Sequence, residues 1–340
     1  MAETDKRFIK NCQNTTNCSL QISDNFLKYC RLKPTIFIEQ KVSEIKKLVG
    51  TEKVVSALSG GVDSAAATVL AHNAIGNNLN AFFIDTGLMR LNEYENVVNS
   101  MKDYNIKINS IDAKEEFFSA LKGISDPEEK RKAFRNTFYS VFGNVLKQEK
   151  AQYLVQGTIK ADVIETKAGV KTQHNVLEQI GINPKLYGLK IIEPLKELYK
   201  DDVRNIAKEI GLPKIIYERM PFPGPGLSIR VIGETTKERI DIVRKATYIV
   251  EQELKDLRPF QAFAVLMNDK ATGIKNNERN YGNIIIIRAV ESKNAMTAEP
   301  TEVPFNTLQK LGKRITSEIP SIVRVAYEIT AKPPATIEYE

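Results

Sequence analysis

The stretch "SALSGGVDSAAAT", residues 56–68, sets Gly60, Gly61 and Asp63 between an apolar run and a helix-forming run. It reads as a strand ending at Leu58, a turn through Gly60 and Gly61, and a helix from about Val62. Such a turn aims several backbone N–H groups at one point, where the helix dipole also favours an anion. The glycines let the backbone approach closely, and the hydroxyls of Ser59 and Ser64 add donors. A phosphate-binding loop of the Walker type would carry a lysine, but this sequence places Asp63-Ser64 there. An aspartate beside phosphate oxygens repels them unless a cation lies between, so Asp63 reads as a Mg²⁺ ligand.

Working outward, short apolar runs alternate with amphipathic segments. "KVVSAL" (53–58), "NAFFID" (80–85), "IKINSI" (106–111) and "QYLVQG" (152–157) are strand candidates separated by helical patterns, the rhythm of a parallel βαβ sheet. Asp126-Pro127-Glu128-Glu129 combines a capping acid, proline at the first helical position and early acids, which predicts a helix running to about Lys147. "MPFPGPGLS" (220–228) contains three prolines and two glycines in nine positions, and marks a boundary or a rigid turn. Beyond it come a helix capped by Thr235, strand candidates "QAFAVLM", "NIIIIRAV" and "SIVRVAYEI", and a helix over about 305–317, a small α+β domain. The expected organisation is a polar leader over 1–33, an α/β domain over 34–219 and a second domain over 220–340.

With 340 residues, 42% of them hydrophobic and 27% charged, the chain can bury a substantial core. No window approaches the apolar length of a membrane span. The N-terminus lacks a signal-like apolar region, so the expected location is the cytoplasm. Cys12, Cys18 and Cys30 all lie in the leader, without CxxC spacing or a nearby histidine, and read as free thiols. The net charge of +7 is spread among 42 acids, which suits a polyanionic small molecule at least as well as a nucleic acid duplex, and no nucleic-acid partner is expected.

SGGVDS after an apolar strand resembles the pyrophosphate loop of the N-type ATP pyrophosphatases, which split ATP between its α and β phosphates. The resemblance explains the missing lysine: such a loop holds departing pyrophosphate while a substrate oxygen attacks the α-phosphorus. It implies a parallel-sheet domain of the adenine nucleotide α-hydrolase type. Within that superfamily, "DTGLMRLNE" (85–93), "DPEEKRK" (126–132), "VQGTIKADVIET" (155–166), "EPLKELYKDDVR" (193–204), "PFPGPGL" (221–227) and "KPPATIEYE" (332–340) are similar, in order, to the GMP synthases. This likeness covers residues 36–340. It implies adenylation of XMP at its O2, displacement of AMP by ammonia, and a C-terminal domain that dimerises and helps to bind XMP.

Carried over by position, Ser59, Gly60, Gly61, Val62, Asp63, Ser64 and Ala65 would bind ATP, with the adenine against Ile84 in "FFIDTG". Asp63 and Asp162 would associate with Mg²⁺, and Asp63 and Lys200 would act in catalysis. Arg131, Gln261, Arg279, Lys332, Thr336, Ile337 and Glu338 would surround XMP. The sequence departs from the family at Gln173, where the family has the first of two adjacent histidines, at Ala161, which replaces a proline, at Asn277, which replaces an acid, and at Tyr339, which replaces a tryptophan.

Two other readings stay open at this point: another adenylating enzyme such as a tRNA thiolase, and a non-catalytic nucleotide sensor. The thiols precede the loop, which counts against the first, and Asp63, Asp162 and Lys200 are all present, which counts against the second. Only 58 residues precede Ser59, too few for a fused glutaminase, so ammonia is expected from a separate glutamine amidotransferase subunit.

Overall fold

The computed structural model describes residues 33–167, 189–275, 277–293 and 295–340. Residues 1–32 of the leader, with its cysteines, and Gln173 lie outside these residues.

The N-terminal part holds five parallel strands in the order β3-β2-β1-β4-β5: β1 Val54–Leu58, β2 Leu79–Asp85, β3 Ile108–Asp112, β4 Tyr153–Val155 and β5 Lys190–Ile192. The four runs expected to be strands form β1 to β4. The three-residue β5 has no counterpart among the expected strands, because its alternation is too short to register. Successive residues of a strand point to opposite faces, and in β2 Ala81 and Phe83 join one core while Phe82 and Ile84 join the other. Both faces are therefore covered, as an all-parallel sheet requires.

One face carries α1 (Pro34–Val49), α2 (Val62–Ile75) and α7 (Lys200–Glu209). The run Ala65-Ala66-Ala67 in α2 is buried, and side chains this small let that helix lie close to the sheet. The opposite face carries α4 (Lys114–Leu121) and α5 (Pro127–Glu149). The carboxylate of Asp126 accepts from the N–H groups of Glu128 and Glu129, both at 2.9 Å, and so caps α5 as its sequence predicts. The remaining helices of this part are α3 (Glu93–Lys102), α6 (Lys160–Lys167) and α8 (Lys214–Tyr217).

The C-terminal part holds β6 (Gln261–Lys275) and β7 (Glu278–Glu291) as a long hairpin, with β8 (Glu299–Pro300) antiparallel and β9 (Ile322–Tyr327) parallel to β7. The helices α9 (Lys237–Glu253) and α10 (Phe305–Glu318) pack on it. The cap of α9 lies one residue later than expected. Thr236 accepts from the Arg239 N–H at 3.3 Å, while burial draws the side chain of Thr235 inward.

The segment around residue 220 is not a loose linker. Phe82, Ile84 and Leu88 share one continuous core with Leu227, Val231, Val243 and Ile285. Leu227 N–H donates to Leu88 O at 2.8 Å, and Gly226 packs so tightly on that carbonyl that no side chain fits there. Among the described residues, no helix is long and apolar enough to cross a membrane.

The cap gives a direct test of this fold. Asp126→Ala should lower stability by about 1 kcal/mol, read as a lower urea midpoint at unchanged slope, while Asp126→Asn stays near the parent. A midpoint unmoved by the alanine would remove the cap from the account.

Candidate functional site

Chain order reverses between β1 and β4, and in open parallel sheets a ligand crevice forms beyond the carboxyl ends of the strands at such a point. Two turns meet there. The first, residues 59–61, leads from β1 into α2; the second follows β4 and passes Gly157, where an added Cβ would lie 2.7 Å from the Ser64 nitrogen. Only glycine permits this approach.

Gly61 is the N-cap residue of α2 and no side chain caps the helix, so its first N–H groups are left for a ligand to satisfy. Gly60 adopts φ +79°, and a side chain there would collide with the Glu93 carboxylate. The Ser64 hydroxyl donates to Gly61 O at 3.0 Å and lies 3.1 Å from the Ser59 hydroxyl, which ties the loop to the first turn of α2. Thr68 anchors that turn from below, with its hydroxyl 2.7 Å from Ser56 Oγ and donating to Ser64 O at 2.7 Å.

At the mouth of the loop, Lys200 Nζ lies 2.6 Å from Asp63 Oδ2. Lys200 is the first residue of α7, so a lysine absent from the loop's own sequence reaches it from 137 residues away. Asp63 Oδ1 is buried and has no hydrogen-bond partner. Burial pushes the Asp63 carboxyl above the usual aspartate range; Lys200 pulls against that shift, and the Asp162 carboxylate adds to it. Asp162 stands in the first turn of α6 and accepts the Ile159 N–H at 2.9 Å.

These residues fit a magnesium ion. Asp63 offers an unpartnered buried oxygen, and a second carboxylate is near enough to act on it electrostatically. Among the described residues no three potential ligands gather, so a metal here would share its shell with phosphate oxygens and water, the usual habit of Mg²⁺. Arg204 escaped the sequence reading. It stands one helical turn from Lys200, its charge acts on Asp63, and its Nε is buried without a hydrogen-bond partner. The i,i+4 spacing of the two cations was the available signal.

A second cluster gathers most of the residues expected around XMP. Gln261 Nε2 donates to Glu338 Oε1 at 2.5 Å. Arg230 grips the same carboxylate through two hydrogen bonds of 2.8 and 2.9 Å, and its guanidinium lies 4.0 Å from the centre of the Phe263 ring. Ile337 is buried beside Phe263, and Thr336 O accepts from Arg288 at 3.1 Å. Lys332 Nζ donates to Ala295 O at 2.8 Å. Arg131 pairs with Glu128 at 2.5 Å; its neighbour Lys130, fully buried, reaches Glu340 at 2.5 Å and so joins α5 to the tail. Burial pushes the Lys130 ammonium down and the Glu340 carboxyl up.

Arg279 does not join this group. It pairs with Ile274 and Gln261 with Val290, at opposite ends of the hairpin and, at about 3.3 Å per residue, roughly 40 Å apart. Asn277 sits at the hairpin turn with φ +64°, a conformation that asparagine tolerates better than most residues. The Tyr339 hydroxyl donates to Glu328 at 2.9 Å. Sequence reasoning missed Arg230, Lys130 and Glu340, because nothing local reveals a buried charge whose partner lies about a hundred residues away or more.

Comparison with known proteins covers both parts of the chain. Residues 33–227 match the family model for NAD synthase, and residues 249–339 match that for the GMP synthase C terminal domain. A protein of Pyrococcus furiosus, named as one subunit of a glutamine-hydrolyzing GMP synthase, is 53% identical over 307 residues, covering 89% of this chain and 97% of the relative. The proteins of the same name from Archaeoglobus fulgidus and Methanopyrus kandleri are 52% and 47% identical, over 89% and 90% of this chain and 98% and 99% of their own lengths.

The two loop glycines should respond differently to alanine. At Gly60 the positive φ alone costs about 1–2 kcal/mol, and the collision with Glu93 adds to it. At Gly61, whose nearest contact is Ser59 Oγ at 3.5 Å, the stability cost should stay below about 1 kcal/mol. Urea unfolding of both variants checks this, and equal destabilisation would contradict the loop geometry.

Proposed function

The chain belongs to the family of these GMP synthase subunits, and from that membership we propose that its crevice adenylates XMP with ATP and that ammonia then displaces AMP to give GMP. The observation that carries the reading is the pairing of Asp63 with Lys200 at the mouth of an uncapped, glycine-initiated helix. It brings a metal-binding carboxylate and a phosphate-binding cation to one point.

The xanthine O2 attacks the α-phosphorus of ATP, a P–O bond forms, and the bond to the β-phosphate oxygen breaks to release pyrophosphate. Ammonia then attacks C2, AMP leaves with the former O2, and the nitrogen gives up one proton to remain as the 2-amino group. No protein nucleophile is needed, so the residues act by position and charge. The backbone N–H groups of residues 60–64 and the hydroxyls of Ser59 and Ser64 cradle the β and γ phosphates. Ile84, at the carboxyl end of β2, borders the adenine position. Lys200 supplies positive charge where the leaving pyrophosphate gathers negative charge. Asp63, supported by Asp162, would hold Mg²⁺, which neutralises that charge further.

On the XMP side, Arg131 and Lys332 suit the phosphate monoester. Glu338 is already held by Arg230 and Gln261, yet a carboxylate accepts up to about four hydrogen bonds, which leaves capacity for donors of the base or ribose. A homodimer through the C-terminal domain accounts for Arg279, since a second copy can bring its hairpin end to a site that this chain's own hairpin cannot reach. The exposed Ile274 and Tyr281 near that end are apolar enough for such a contact. A separate glutamine amidotransferase is supported by the relatives' designation as one subunit of a glutamine-hydrolysing enzyme.

The purified chain, given XMP, ATP, Mg²⁺ and ammonium, should release pyrophosphate and form GMP, whereas ammonium-free glutamine should not replace ammonium. Asp63→Asn should abolish the pyrophosphate signal. Sustained glutamine-dependent synthesis without a second protein, or normal turnover by the variant, would each overturn part of this reading.

Lys332→Ala separates the two nucleotides. Losing a charge-assisted contact costs about 1.5–3 kcal/mol, so KM for XMP should rise by roughly one to two orders of magnitude with KM for ATP unchanged. A parallel rise in both constants would move Lys332 away from the XMP phosphate.

A further inference from the structure

We propose that Arg219, braced by Glu93, is a positioning residue that sets the orientation of the pyrophosphate loop from the segment entering the C-terminal domain. Arg219 Nη1 donates to Gly60 O at 2.8 Å, and Nη2 pairs with the Glu93 carboxylate. The two side chains are 15% and 3% exposed, so water competes little for either group. Glu93 is the first residue of α3, where the helix dipole favours its negative charge.

Peptide planarity gives the contact its consequence. The C=O of Gly60 and the N–H of Gly61 belong to one trans peptide unit and point in opposite directions. A donor that fixes the carbonyl on one side therefore aims the Gly61 N–H out of the other, toward the crevice. That N–H has only a long contact, 3.4 Å, to Ser59 Oγ, so nothing else in the loop holds it as firmly. The neighbouring φ of +79° shows that this peptide adopts an orientation a side chain would resist.

Arg219 is also connected to the other cluster. It immediately precedes "MPFPGPGL", and Arg90 Nη2 binds the carbonyls of Met220 and Pro221 at 2.9 and 3.2 Å. The Phe222 ring packs against both the guanidinium of Arg90, 4.4 Å from its centre, and that of Arg230, at 5.1 Å. Arg230 in turn holds Glu338. A chain of packed and hydrogen-bonded groups thus runs from the tail to the loop, with Arg219 as its last member. Lysine has one nitrogen in place of the planar fork and cannot serve the carbonyl and the carboxylate in the same geometry.

The inference rests on reading residues 59–65 as a pyrophosphate site, and the probe is inorganic pyrophosphate with Mg²⁺, titrated calorimetrically into the full chain. Arg219→Lys should weaken pyrophosphate binding about tenfold or more, as when one aimed donor is lost, while XMP affinity stays unchanged and the thermal midpoint, with the charge beside Glu93 retained, falls only by a few degrees. In turnover the same variant should raise KM for ATP or lower kcat without moving KM for XMP. Glu93→Gln, which keeps the shape and an acceptor oxygen, should lose less. Unchanged pyrophosphate affinity in Arg219→Lys, an equal loss for XMP, or no pyrophosphate binding by the unaltered chain would each overturn the proposal. If the unaltered chain binds pyrophosphate and shows this pattern but makes no GMP, the brace stands and the assigned reaction fails.

Discussion

The geometry of the loop between β1 and α2 depends on a guanidinium lodged between a backbone carbonyl and a carboxylate. Arg219, Gly60 and Glu93 come from three separate segments and meet where the sheet opens. A buried ion pair is a weak source of stability, because desolvation offsets much of the attraction, yet removing one partner typically costs about 3–5 kcal/mol. Such a pair holds a position better than it adds net stability. Here it fixes a peptide plane in the one loop that must present its N–H groups outward. Glycine at position 60 follows from this constraint as much as from any need to approach phosphate, since a side chain would occupy the space of the carboxylate.

The two halves of the molecule are joined through more than a covalent link. Arg90 bonds Glu251 on α9 at 2.9 Å and two carbonyls of the proline-rich segment, and burial drives its guanidinium down to about 10. Arg244, also on α9, donates to Met89 O at 2.9 Å and to Gly87 O, beside the end of β2. The stretch following β2 is therefore held by Arg244 and Glu251 of the second part. The prolines of 221–225 give a backbone of few alternatives, and Arg90 satisfies the carbonyls of Met220 and Pro221, so the segment holds its course without belonging to a helix or strand.

Much of this was legible beforehand, and the boundary of legibility has a physical cause. Strands β1 to β4, helix α5 with its Asp126 cap, and the turn into α2 all rest on interactions within a few residues, which leave a periodic or positional trace. The partner of Arg219 is a backbone carbonyl 159 residues away, and a carbonyl has no side-chain identity to read. Arg230 and Glu338 lie 108 residues apart, and only the folded tail brings them together. The cap of α9 was misplaced by one residue for a related reason: adjacent threonines offer the same chemistry, and burial decides which one faces the helix. Arg279 shows the limit of carrying roles over by position, since a shared motif does not reveal that the hairpin holds this residue at the opposite end from Gln261.

The loop's missing lysine becomes intelligible once Lys200 is seen beside Asp63. In a loop that carries its own lysine, cation and anion-binding amides share one short segment, and the lysine follows the loop wherever it goes. Here the cation sits at the start of α7, where Asp201 and Asp202 offset the unfavourable meeting of a positive side chain with the helix's positive end. The position freed on α2 is taken by an aspartate. Under the proposed chemistry that exchange has a purpose: pyrophosphate is the leaving group, and a carboxylate at this position would hold the metal ion that neutralises its charge. Lysine and aspartate on separate helices, 2.6 Å apart, let each group serve the opposite charge of a metal–pyrophosphate pair, which a single lysine in the loop could not do.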